Sequence, residues 1–160
     1  MPVIELKTII RAPIERCFLL SLSVDLHTLS TKGTDEKAIA GITSGVMKMG
    51  DTVTWRAKHF GMYQTLTTRI SAYQNPNYFV SEMVKGEFKK IYHQHIFHPN
   101  GIGTVMTDVF DFEAPLGFIG KSFSKNILKN YMTKFLEQRN RTIKKIAEGD
   151  DWKKLLSGKQ

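Results

Sequence analysis

Five histidines occur in the 160 residues, and two of them stand two apart in the apolar run Ile91-Tyr92-His93-Gln94-His95-Ile96-Phe97. In a β-strand alternate residues share a face, so Ile91, His93, His95 and Phe97 point together while Tyr92, Gln94 and Ile96 oppose them. The next strand-like run, residues 104–112 (TVMTDVFDF), puts Thr104, Met106, Asp108, Phe110 and Phe112 on one face. With a hairpin turning about Asn100-Gly101, His93 is expected opposite Asp108 and His95 opposite Met106. A one-residue slip would destroy that pairing. The same logic across Gly86 sets Ser81 beside His93 and Phe79 beside His95.

A histidine and a carboxylate inside an apolar wall support three kinds of chemistry. They can satisfy each other by hydrogen bonding in a polar layer of the cavity. They can orient a ligand carbonyl or hydroxyl, or act on it as an acid–base pair, with Asp108 fixing the tautomer of His93 and raising its pKa. Or His93 and His95 can chelate a metal, with Asp108 as third ligand. His59 is the candidate for a fourth ligand. It is set apart from His93 by roughly 20 Å along the strands and ~14 Å across them. No metal or other cofactor is therefore expected.

The remaining candidates build the wall around this cluster. Leu66, Phe79, Met83, Ile91, Met106 and Phe110 supply apolar surface, with methionine suited to adaptable contact with apolar ligands. Trp55 shares a strand face with Ala57 and His59 and reads as cavity wall. In His59-Phe60-Gly61 the glycine permits a tight turn, and His59 stands where it could gate the cavity or touch a ligand. Asp111 and Glu113 fall on the opposite face and read as solvent-facing charges.

These side chains need a curved antiparallel sheet to hold them. Residues 3–11 read as a strand, and Ala12-Pro13 ends it and opens a short helix, IERCFLLSL. A second short helix spans residues 23–30. From about residue 35 to 114 the chain is rich in β-branched and aromatic residues. It is broken at Met49-Gly50-Asp51, Phe60-Gly61, Asn75-Pro76-Asn77, Lys85-Gly86 and Pro99-Asn100-Gly101, the pattern of a meander. The period then becomes helical. Ile119, Phe123, Ile127, Tyr131, Phe135 and Ile143 form an apolar stripe widened by Leu128, Met132, Leu136 and Ile146, with Lys121, Lys125, Lys129, Lys134 and Lys145 largely on other faces. This helix runs from Phe118 to about Glu148, with Gly149 as C-cap. Residues 1–148 thus form a single domain. Residues 149–160 are a short tail whose Trp152, Leu155 and Leu156 either dock back or fray. The economical architecture is α+β: six or seven antiparallel strands with one face covered by a long helix, and room for a ligand between them.

Composition narrows the function. With 41% hydrophobic and 24% charged residues the chain fits a globular protein. The N-terminus, interrupted by Glu5, Lys7 and Arg11, reads as neither signal peptide nor spanning helix. The single cysteine, Cys17, sits among Ile14, Phe18 and Leu19 and reads as a buried thiol suited to a reducing cytoplasm. A net charge of +8 raises nucleic acid or an anionic membrane as partners. The basic residues are nevertheless dispersed and concentrate on the last helix. No helix-turn-helix, zinc finger or RNP motif is present, so no nucleic-acid partner is expected. GxSxG, P-loop, dinucleotide GxGxxG and CxxC signatures are also missing.

The order of these features resembles the START-like, birch-pollen-allergen-like superfamily with its helix-grip fold. This grouping includes the polyketide cyclase/dehydrase proteins and the bacterial SRPBCC-family proteins. The resemblance is carried by Ala12-Pro13…Phe18, Gly50-Asp51…Trp55, His59-Phe60-Gly61, Phe79…Met83…Gly86…Phe88, His93-x-His95-x-Phe97, Gly103-Thr104…Asp108 and Ala114-Pro115-Leu116-Gly117. It covers nearly the whole chain. Ser81 stands where these relatives commonly have an acidic residue, and Ile91 where they commonly have an aromatic one. The superfamily holds lipid carriers, hormone receptors, cyclases and dehydrases, so the resemblance implies a fold and leaves the activity open. The expected function is binding of a small apolar or amphipathic molecule between sheet and helix. The alternatives are a cyclase/dehydrase-like enzyme using His93 and Asp108, and a peripheral membrane or protein module using the basic helix.

Overall fold

The structure, a computed structural model, describes residues 3–59, 61–114 and 122–157. Seven strands form one antiparallel sheet: β1 (Val3–Ile10), β2 (Lys37–Gly41), β3 (Thr52–His59), β4 (Met62–Gln74), β5 (Tyr78–Gly86), β6 (Lys90–Asn100) and β7 (Gly103–Glu113). Their order is β1-β7-β6-β5-β4-β3-β2, a meander whose first strand returns to pair with the last. Two short helices, α1 (Ile14–Ser21) and α2 (Val24–Ser30), follow β1, and the long helix α3 (Ser122–Glu148) follows β7. This is the helix-grip architecture.

Local sequence explains the boundaries. Pro13 caps α1 in an extended conformation, and the Ser23 hydroxyl accepts from the Leu26 N–H at 3.1 Å to open α2. The pairing of β4 with β5 shifts register at Thr67/Thr68 and at Ile70/Ala72. Each irregularity bends the strand, which lets the sheet curve toward α3. On β6, Ile91, His93, His95 and Phe97 are buried and alternate with half-buried Tyr92, Gln94 and Ile96, so the period-2 reading holds there.

The β6–β7 register differs from the expected one by two residues. Asn100 pairs with Gly103, so the turn closes over Gly101-Ile102, with the Asn100 side chain accepting from the Ile102 N–H at 3.1 Å. His93 therefore lies opposite Phe110, and His95 opposite Asp108. A shift of two keeps every side chain on its expected face. The β5–β6 ladder is as expected, pairing Ser81 with His93 and Phe79 with His95.

On α3 the buried stripe runs through Leu128, Met132, Leu136, Arg139, Asn140, Ile143, Ile146 and Ala147. Ile127, expected on the stripe, is 49% exposed, because the inward face is centred one residue further along. The expected helix start at Phe118, with Ile119 and Lys121, lies outside the described residues. So do Phe60, Pro115, Leu116, Gly117 and the side chains of Phe123 and Lys125. The Gly149 N–H closes the helix on the Lys145 carbonyl at 3.2 Å. The tail docks. A fourth helix, α4 (Trp152–Leu156), packs Trp152, Leu155 and Leu156 against the core, and the Arg16 guanidinium lies 3.8 Å from the Trp152 ring centroid. No helix among the described residues is long and apolar enough to cross a membrane.

Candidate functional site

Asp108 is the centre of the site. It points from β7 toward α3 and is fully buried. The His93 Nε2–H donates to its Oδ1 at 2.8 Å, and the Asn140 side-chain amide donates to its Oδ2 at 2.7 Å. The Arg139 Nη1 lies 3.4 Å from the Asp108 Oδ1 and donates to the Asn140 side-chain Oδ1 at 2.9 Å. His95 Nδ1 is 3.4 Å from the same Asp108 oxygen and 3.4 Å from Arg139 Nη2. A guanidinium can only donate, so His95 Nδ1 accepts from it and the ring carries its proton on Nε2. The two imidazoles stack at 3.8 Å between centroids, and His95 stacks in turn on Phe79 at 4.1 Å.

Charge within this cluster is balanced internally. Burial pushes the Asp108 carboxyl up, but the bond from His93 and the charge of Arg139 outweigh it and hold it well below the usual carboxylate range. Burial lowers His93, and the Asp108 bond only partly opposes this. Asp108 was expected to raise the His93 pKa. The net shift is downward, because a fully enclosed ring loses more from desolvation than it gains from one carboxylate. His95 is driven well below its ordinary value by burial and by His93 beside it. Both imidazoles are neutral near pH 7, and the ionised pair is Asp108 with Arg139.

A cavity of about 180 Å³ opens between the concave face of the sheet and α2 and α3. That is well above the roughly 10–15 Å³ a single buried water needs. Of the twelve residues expected to contact a ligand, Trp55, His59, Leu66, Phe79, Ser81, Ile91, His93, His95 and Phe110 line it. Met83, Met106 and Asp108 do not. Met83 packs beside Leu66, Met106 is fully buried and accepts from the Ser21 hydroxyl at 3.5 Å, and Asp108 acts from behind His93. Helix α3 contributes Leu128, Tyr131, Met132, Phe135, Leu136 and Arg139 to the opposite wall.

A second polar group also lines the cavity. His59, the last residue of β3, meets the Tyr131 hydroxyl through Nδ1 at 2.6 Å and sets its ring edge-on to Tyr131 and Phe135, tying the sheet to α3. His27 of α2 lies 2.9 Å from Glu36 and packs its ring on Trp55 at 4.4 Å.

Sequence reasoning missed Arg139, Asn140, His27 and Glu36. The first two had a signal. They continue the spacing Leu128, Met132, Leu136 and interrupt an apolar stripe with a charge and an amide. His27 and Glu36 fall in a helix and a turn whose placement over the sheet the sequence does not disclose.

The cluster also bears on metal binding. Among the described residues, His93, His95 and Asp108 are a group whose ligand atoms lie within 4.8 Å of one another. The Arg139 guanidinium stands against the same Asp108 oxygen, so a dication there would have to displace it against like-charge repulsion. His59 is not part of the group.

No family model matches the chain, and no curated protein matches it in sequence. Solved structures do match its fold. A START superfamily protein from Mycobacterium smegmatis superposes with a TM-score of 0.69 at 14% identity, covering 91% of this chain and 97% of that one. The major latex-like protein 151 of Panax ginseng superposes at 0.64 with 18% identity, covering 92% and 98%. Ara h 8.0201 superposes at 0.58 with 13% identity, covering 89% and 97%. The chain has the START-like, helix-grip fold.

Proposed function

We propose that the protein binds a small apolar or amphipathic molecule in the chamber between the sheet and α3. The observation that carries this reading is the chamber itself, about 180 Å³ of space walled mainly by apolar side chains. Filling it removes apolar ligand surface from water at roughly 25 cal/mol per Å², and the His93–His95 face offers polar contacts that fix orientation. A binding role fits the polar cluster better than proton transfer does. His93 donates its Nε2–H to Asp108, and burial opposes the charged imidazolium it would become on taking a proton at Nδ1 as a general base. The resemblance to START-like proteins points the same way. Cys17, buried with its thiol pKa raised by burial, suits a reducing cytoplasm as the working compartment.

The test is the native intact mass of protein purified from its own host, set against its denatured mass. The binding reading expects an excess of one small organic molecule that is lost on denaturation. Protein that carries no excess and takes up no apolar probe sinks it. His93→Asn separates the alternatives. A binder loses affinity modestly, whereas a cyclase or dehydrase loses turnover and keeps binding.

A further inference from the structure

Glu36 brings to the chamber a carboxylate that the inner cluster does not use. Its side chain is 6% exposed and lines the cavity. Its Oε1 is buried and has no hydrogen-bond partner. His27 Nε2 lies 2.9 Å from that oxygen but out of hydrogen-bonding alignment, and its ring is packed on Trp55. A buried carboxylate with only a misaligned imidazole at one oxygen is costly, and a donor brought by a ligand to the side of the group that lines the chamber would offset that cost.

The charges facing the chamber show which donor fits. Asp108 and Arg139 neutralise each other at the inner end. Burial holds His59, His93 and His95 toward their neutral forms and pushes the Tyr131 phenol up. Burial also pushes the Glu36 carboxyl up, but His27 and Thr31 beside it more than offset that, so it stays ionised. One carboxylate remains, with the His27 and His59 imidazoles as neighbours. A ligand anion would meet repulsion here, and a neutral hydroxyl would satisfy the geometry without the charge. An ammonium group supplies both, through three donors on a point charge.

We propose that Glu36 is the recognition point for a protonated amine, so that the chamber takes a small amphipathic amine whose apolar body lies between the sheet and α3. This rests on the cavity-binding reading above and names its ligand class.

The experiment titrates n-octylamine, 1-octanol and octanoate into the wild-type protein and into Glu36→Gln by calorimetry, at a pH where the amine is charged. These probes share one apolar body and differ only in the head group. Wild-type protein is expected to bind octylamine at least roughly tenfold more tightly than octanol, the size of one charge-assisted hydrogen bond. Octanoate is expected to bind more weakly than either, and Glu36→Gln to bring octylamine level with octanol. The wild-type comparison stands even if the variant folds poorly. Octanol binding as well as octylamine, or a preference that survives Glu36→Gln, overturns the amine assignment and leaves the cavity reading in place. Failure of all three probes to bind overturns both.

Discussion

His93 Nε2 and Asp108 Oδ1 lie 2.8 Å apart although they are not ladder partners, because Asp108 faces His95 and His93 faces Phe110. The contact is diagonal, one pair along the β6–β7 ladder. Diagonal neighbours on one sheet face are about 7–8 Å apart at Cα, within reach of an imidazole. Stacking with His95 turns both rings toward the same carboxylate. Asn140 and Arg139 then close it from α3, so Asp108 is a buried point where sheet and helix are joined by polar contacts.

The first consequence concerns stability. Asp108→Ala leaves the Arg139 guanidinium buried without its counter-ion, and breaking a buried pair from one side costs about 3–5 kcal/mol. Arg139→Met strands the carboxylate in the same way. The double variant removes both charges and is expected to cost clearly less than the sum of the single changes. Urea unfolding of the four proteins reads the coupling directly, and strict additivity would show that the pair is not a unit.

The same cluster sets a pH dependence. His59, His93 and His95 have folded pKa values below the unfolded value of ~6.5. The unfolded chain therefore binds more protons as pH falls below that value, and stability complete at pH ~7 declines toward pH ~5. Asp108 and Glu36, both depressed, add a second loss as pH falls below the unfolded carboxylate values of ~4. His95→Gln should flatten the first slope. Wild-type stability that stays level between pH ~7 and ~5 would refute the neutral assignment of the buried imidazoles.

The parts of this site legible from sequence are those governed by short-range periodicity. Alternation in residues 91–97 and 104–112 assigns the inward faces, because side-chain direction in a strand depends on parity alone. The register was not fixed by parity. It depends on which two residues make the turn, and the Asn100 side chain settles that by capping Gly101-Ile102. Arg139 and Asn140 were visible as a break in the α3 stripe. Glu36 was not, since its burial comes from the packing of a turn over a curved sheet.

Trp55 lines the chamber and Trp152 sits on Arg16 at the surface of α4, so the two indoles report different places. In Trp152→Phe the remaining emission comes from the buried Trp55 alone and should be blue-shifted. Octylamine binding should change it in a saturable way. The same titration of Trp55→Phe, which keeps Trp152, should show no such change. An equal response from both variants would mean that the probe binds outside the chamber.

Ser81 and Gly103 separate a chamber from a packed interior. A Cβ on Gly103 runs into the Ile10 carbonyl oxygen, where β7 starts beneath the end of β1 and neither backbone can yield. Gly103→Ala is thus an overpacking change, expected to cost about 1–3 kcal/mol in urea unfolding. Ser81 stands opposite His93 on the cavity wall, beside about 180 Å³ of open space. Ser81→Leu adds far more volume there, yet it fills existing space, so stability should hold or rise as it does for cavity-filling changes. The side chain then occupies the room a ligand needs, and octanol affinity should fall by roughly tenfold or more, the scale of two lost methylene contacts. Unfolding curves and octanol titrations of the two variants give opposite signatures if the space beside Ser81 is a binding chamber. A Ser81→Leu protein that is strongly destabilised, or that binds octanol as before, would show that it is not.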